Sequence, residues 1–161
     1  MSDFLLELLS EEIPARMQAK AAADLARLFG EQLAEAALKA EAVETCVTPR
    51  RLALIARGLP DRTEAVSEEI KGPRAAAPAQ AIDGFLGKYK LSFSELTERD
   101  GVLYAHIDTP GRATSDVLAE AIPAIVRAFP WPKAMRWGEA SASTESPRWV
   151  RPLQGIVALL G

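Results

Sequence analysis

The stretch Val43-Glu-Thr-Cys-Val-Thr-Pro-Arg-Arg-Leu-Ala-Leu-Ile-Ala56 decides the fold class. Residues 43–48 and 52–56 are β-like runs of branched and aliphatic side chains, and Pro49-Arg50-Arg51 interrupts them. The pattern reads as strand, bend, strand: a β-hairpin. Ahead of it, residues 14 to 42 are alanine-rich and carry Met17, Ala21, Leu25, Leu28 and Phe29 at helical spacing. Gly30 costs this helix ~1 kcal/mol relative to alanine, but length and pattern outweigh it. Residues 3–9 form a short apolar run that reads as a buried strand. Ser10-Glu11-Glu12-Ile13-Pro14 then reads as a helix start, with proline in the first turn and carboxylates at the positive end of the dipole. Strand, long helix and hairpin together define an N-terminal α+β subdomain over 1–75.

Beyond it, residues 64–70 read as a strand ending at Lys71-Gly72-Pro73, and 74–80 as a low-complexity loop. A short helix follows with Ile82, Phe85 and Leu86, and then a helical turn over 92–98. Residues 101–108 alternate, with Val102, Tyr104 and His106 on one side and Leu103, Ala105 and Ile107 on the other, as in a strand. Pro110-Gly111 closes it. The next helix has Ser115-Asp116 at its cap and Leu118, Ile122, Ile125 and Phe129 on one face, with Pro123 kinking it or starting a second segment. Residues 150–161 end in a last apolar strand, and so abrupt an ending suggests a fragment of a longer chain. Residues 76–161 form a second α+β subdomain, truncated at its C-terminus. The expected fold is α+β, a mixed or largely antiparallel sheet with helices packed on it, in two subdomains divided between Gly72 and Ala81.

Composition narrows function. With 161 residues the chain can bury a real core, and 48% apolar with 25% charged residues is ordinary for a globular protein. A net charge of −3 argues against a nonspecific nucleic-acid coat, which draws on a broad basic surface. Cys46 is the only cysteine, so no internal disulfide forms and a reducing, cytoplasmic compartment is expected. No signal peptide and no apolar run of membrane-spanning length is present, so no membrane partner is expected.

No catalytic constellation assembles. His106, the sole histidine, sits mid-strand, and Cys46 lies in a β-run and reads as a buried small side chain. One histidine and one cysteine do not supply the usual zinc ligand set, so no metal site is expected. Neither glycine-rich phosphate-binding pattern occurs. Glu11-Glu12 reads as dipole compensation rather than an acid–base pair.

Two basic motifs remain. In Thr48-Pro-Arg-Arg-Leu52 the guanidinium groups of Arg50 and Arg51 point to opposite faces of an extended segment, so salt bridging within the fold and phosphate binding both fit. The second lies in Phe129-Pro-Trp-Pro-Lys-Ala-Met-Arg-Trp-Gly138 and Pro147-Arg-Trp-Val-Arg-Pro152, which hold all three tryptophans and interleave them with Lys133, Arg136, Arg148 and Arg151. Only Glu139 and Glu145 oppose these cations, so the segment is basic inside an acidic protein. A helical turn over 132–138 would bring Lys133, Arg136 and Trp137 to one side, as a phosphate-plus-stacking unit or as an arginine stem covering an indole.

Taken in order, Leu8-Leu-Ser-Glu-Glu-Ile-Pro14, Thr48-Pro-Arg-Arg-Leu-Ala53, Lys71-Gly72-Pro73, Pro132-Lys-Ala-Met-Arg-Trp-Gly138 and Val150-Arg-Pro-Leu153 resemble the N-terminal part of the β subunit of two-subunit bacterial glycyl-tRNA synthetase (glycine–tRNA ligase). The resemblance covers essentially the whole chain. Ala134 stands where that family more often has serine or a basic residue, and Trp149 where it usually has phenylalanine.

The resemblance implies an aminoacyl-tRNA ligase of protein biosynthesis, a cytoplasmic heterotetramer. Its α subunit uses ATP, with magnesium, and glycine. Its longer β subunit binds and orients tRNA. This region would carry no catalytic residue and no cofactor. Its partners would be the α subunit and glycine tRNA, not DNA, and its candidate RNA contacts Arg50, Arg51, Lys133, Arg136, Trp137, Arg148 and Arg151. The alternative is a structural module that mediates subunit or domain assembly without touching RNA.

Overall fold

A computed structural model describes residues 1–139, 143 and 146–161. Among these, three helices and seven strands form two antiparallel sheets, an α+β fold. The chain divides into two compact units, 1–63 with 112–161, and 64–111. This is not the expected division into 1–75 and 76–161. The difference arises because β7 (Leu153–Leu160) pairs with β1 (Ser2–Ser10), from Phe4 opposite Leu160 to Ser10 opposite Leu153. A pairing so distant in sequence leaves no local trace, and it makes 64–111 an insertion into the first unit.

In the first unit β2 (Ala42–Thr48), β3 (Arg51–Leu59), β1 and β7 lie in the order β2-β3-β1-β7. Every second side chain of β1 and β3 is buried: Phe4, Leu6 and Leu8 on one, Leu52, Leu54 and Ala56 on the other. Register sets Leu6 opposite Leu54 and Leu8 opposite Leu52, so these rows make one apolar face. α1 (Ala15–Glu35) buries Met17, Ala21, Leu25, Leu28, Phe29 and Leu33. Its Phe29 ring stacks on Phe4 with centroids 5.7 Å apart, which fixes the helix on that face. α3 (Thr114–Ala128) adds Val117, Leu118, Ile125 and Val126 to the same core.

α1 stops seven residues short of the expected 42. The Ala37 amide bonds the Ala34 carbonyl at 3.0 Å and the Leu38 amide the Leu33 carbonyl at 2.8 Å. Ala37 takes a left-handed φ of 54°, and Leu38 folds back into the core. This pair of bonds is the Schellman closure, driven here by burial of Leu38 rather than by a glycine.

At the other end Glu11 and Glu12 precede the helix, and its first turn holds no acid. α3 continues through Pro123 as one helix. Its start is tied down not by a Ser115 or Asp116 cap but by the buried Thr114 hydroxyl, which donates to the Pro60 carbonyl. Cys46 is exposed, not buried, because Val43, Thr45 and Val47 take the side facing Ala56, Leu54 and Leu52.

The second unit orders β4 (Val66–Arg74), β6 (Val102–Thr109) and β5 (Leu96–Arg99) as β4-β6-β5, with α2 (Ala79–Tyr89) against β4. Leu103 and Ala105 are buried, as the alternation predicts. The expected helical turn at 92–98 is a 3-10 turn over Phe93–Glu95 that passes straight into β5. The Ser92 amide, and then its hydroxyl, hold the Glu95 carboxyl below its ordinary range. Gly72 of Lys71-Gly72-Pro73 sits where a Cβ would lie 3.0 Å from both the Leu103 carbonyl and the Phe85 ring, so the motif admits α2 to the sheet.

Candidate nucleic-acid interface

The two tryptophan-bearing stretches are brought together by main chain. The Met135 amide donates to the Trp149 carbonyl at 2.7 Å, and the Trp149 amide returns to the Met135 carbonyl at 3.2 Å. The expected helical turn over 132–138 is therefore absent. Met135 is in a two-stranded bridge, so Lys133, Arg136 and Trp137 do not share a helical face. The prolines at 130 and 132 explain the choice: each removes an amide donor, and each biases its predecessor away from the helical region.

The bridge assembles an aromatic cluster. Phe129 stacks on Trp131 with centroids 4.6 Å apart and an interplanar angle of 27°, and Trp131 meets Trp149 edge-on at 4.9 Å and 78°. Trp149 is 1% exposed and Phe129 8%. Trp131 and Trp137 are half-buried against the same core. Among the described residues the buried indole Nε1 atoms of Trp131 and Trp149 have no hydrogen-bond partner. The indoles are anchors first.

On this cluster lies a hollow lined by Arg127, Phe129, Trp131, Pro132, Lys133, Ala134 and Arg148. Among the described residues its three charged side chains are all cations from exposed positions, and no carboxylate lines it. Among the described residues none of the three is ion-paired; Glu145, the acid nearest Arg148 in sequence, lies outside those residues. The arrangement offers a positive rim over a stacked aromatic floor, the chemistry that holds phosphate and stacks a base.

Lys133 and Arg148 were expected from the sequence. Arg127 was not, because it reads as one more charge in the last turn of α3. Its only sequence signal is its place two residues before Phe129-Pro-Trp.

The remaining candidates lie elsewhere. Arg50 is in the β2–β3 turn, its Nη2 3.8 Å from Glu11 Oε1, and Glu11 also accepts from Gln154 Nε2. Arg51 opens β3, its Nη1 3.5 Å from Glu7 Oε1. Both follow the salt-bridge alternative, with carboxylates of β1 and the segment after it. Glu11 thus answers an arginine rather than a helix dipole.

Arg151 lines a second depression together with Glu11, Glu12, Pro14, Met135 and Pro152, where acids share the wall. Arg136 is exposed just beyond the bridge. Main-chain bonds tie these motifs into one structural knot. The Ser10 amide donates to the Arg50 carbonyl at 3.1 Å, Ile13 to Pro49 at 2.5 Å and Glu11 to Pro152 at 3.0 Å.

His106 is on an exposed face of β6 in the second unit, its Nε2 2.8 Å from Ser67 Oγ and 3.4 Å from Asp108 Oδ1. Ser67 also donates to Asp108 at 2.6 Å. Both neighbours share one edge of the imidazole, so the ring does not stand between serine and carboxylate as a nucleophile-activating base requires. Among the described residues no group of three metal-ligating side chains forms, and no helix is long and apolar enough to cross a membrane.

Over residues 4–161 the chain matches the family model described as "Glycyl-tRNA synthetase beta subunit", and it belongs to that family. It is 53% identical over 159 residues to the glycine–tRNA ligase beta subunit of Phenylobacterium zucineum (strain HLK1), a match covering 99% of this chain and 23% of that relative. It is also 46% and 48% identical, each over 164 residues, to the glycine–tRNA ligase beta subunits of Ruegeria sp. (strain TM1040) and Cereibacter sphaeroides. Those matches again cover 99% of this chain and 23% of the relative, so the chain spans about a quarter of the length of these proteins.

Proposed function

We propose that this chain is the N-terminal part of the β subunit of a two-subunit, cytoplasmic glycine–tRNA ligase, and that it helps to bind and position tRNA while the α subunit carries out aminoacylation. The observation that carries this reading is the hollow of Arg127, Lys133 and Arg148 over Phe129 and Trp131, where all three charged side chains among the described lining residues are cations. The region itself supplies no catalytic group and no cofactor. ATP and magnesium act at the α subunit of the heterotetramer, and the nucleic-acid partner is RNA rather than DNA.

The test is titration of labelled glycine tRNA against this chain at two salt concentrations, for the wild type and for Lys133→Ala/Arg148→Ala. Binding that weakens in the variant, with a shallower salt dependence and unchanged thermal stability, supports the reading. Equal binding by both proteins overturns it.

One observation favours a second reading, a purely structural module. The three indoles are buried or half-buried, and the family-resembling motifs at 8–14, 48–53 and 150–153 are tied to each other by main-chain bonds. Under that reading the chain associates with the α subunit and leaves tRNA unbound.

A further inference from the structure

Among the described residues the sheet of the first unit has two open edges, and they differ in kind. β2 carries Glu44, Thr45 and Thr48, and α1 packs against it. β7 reads Leu153-Gln-Gly-Ile-Val-Ala-Leu-Leu160, with no charge and no proline. Natural edge strands avoid such a composition, because unpaired amides and carbonyls beside apolar side chains template further pairing.

β7 is also apolar on both faces. Ile156 and Leu160 stand opposite Leu8 and Phe4, whose side chains are 1% and 2% exposed, yet they are themselves 47% and 40% exposed. The helical cover therefore stops one strand short of the edge. On the other face Val157 and Leu159, opposite Glu7 and Leu5, are 37% and 59% exposed. A strand apolar on both faces is the signature of an interior strand, flanked and covered on each side.

We infer that β7 is an interior strand of the complete β subunit, paired along its open edge by another strand of the same polypeptide. The relatives' own length selects this occupant. Since the matched region is 23% of each relative, some three quarters of such a chain lies outside it. A strand tethered in the same chain acts at an effective concentration on the order of millimolar, above that of an untethered partner. One added strand supplies both needs at once. It satisfies the outward main-chain groups of β7, and its alternating side chains lie alongside Ile156 and Leu160 on one face and Val157 and Leu159 on the other.

Hydrogen exchange tests this independently of any RNA contact. The amides of β7 are followed in this chain and in the full-length P. zucineum β subunit, alone, diluted, and with its α subunit added. The expected result is that alternate amides of the strand exchange at least about tenfold more slowly in the full-length subunit alone, at every concentration. Ile156→Lys/Leu159→Lys, one substitution per face, keeps this chain folded, while the equivalent pair in the full-length subunit removes that protection. Equal exchange in both proteins overturns the inference. So does protection that appears only with the α subunit, or only at high concentration as the edges of two copies pair.

Discussion

The β2–β3 turn and the Met135–Trp149 bridge each present arginines at a bend beside proline, yet they are built differently. At the turn, Arg50 and Arg51 face Glu11 and Glu7. At the bridge, Arg127, Lys133 and Arg148 rim an aromatic floor with no carboxylate among the described lining residues. A guanidinium already opposite an acid must give up that partner to meet phosphate, whereas an unopposed one loses only water and counterions. The same residue types in similar sequence dress are thus structural in one place and available in the other.

The comparison breaks most visibly if the support beneath the aromatic floor is removed. Trp149→Ala should cost about 3–5 kcal/mol of stability in denaturant unfolding, since it empties the centre of the ring cluster. A loss below about 1 kcal/mol would mean that the cluster is not the anchor of the hollow. Trp149→Phe should stay within about 1.5 kcal/mol, because the lost volume is offset by removal of a buried indole N–H that has no acceptor among the described residues.

Next in size is the rim. In Lys133→Ala/Arg148→Ala the slope of log affinity for tRNA against log salt should fall by about 0.7–0.9 per lost phosphate contact, with stability within about 0.5 kcal/mol of wild type. Arg127→Ala sharpens the point. It was invisible as a contact in the sequence, and it should weaken tRNA binding about as much as Lys133→Ala does.

The smallest effects belong to the turn. Arg50→Ala and Arg51→Ala should each change stability by no more than about 1 kcal/mol and leave RNA affinity within roughly twofold. RNA affinity lost at Arg50 to the extent seen at Arg148 would collapse the distinction.

Most elements were legible because burial follows period. Leu52, Leu54 and Ala56 alternate, Met17 to Phe29 repeat at helical spacing, and Leu103 and Ala105 share a side of their strand. Legibility failed where a distant partner decided the outcome. The stretch 132–138 has a helix-compatible spacing of Lys133, Arg136 and Trp137, but Met135 bonds Trp149 across the intervening residues, and two prolines weigh against a turn of helix. The division of units was misplaced because β1 and β7 meet only in space. Of the candidate contacts, Lys133 and Arg148 share a site, and Arg50 and Arg51 lie with β1 and its carboxylates.

Local pattern by itself determined the α+β class and the hairpin, because these depend on side-chain period along the chain. Tertiary structure alone decided which cations share the hollow, that Arg127 joins them, and that β7 carries apolar side chains past the helical cover. The physical reason is that charge compensation and burial are properties of neighbours in space, and here the Met135–Trp149 bridge gathers the cations while pairing of strands from opposite ends of the sequence places β7.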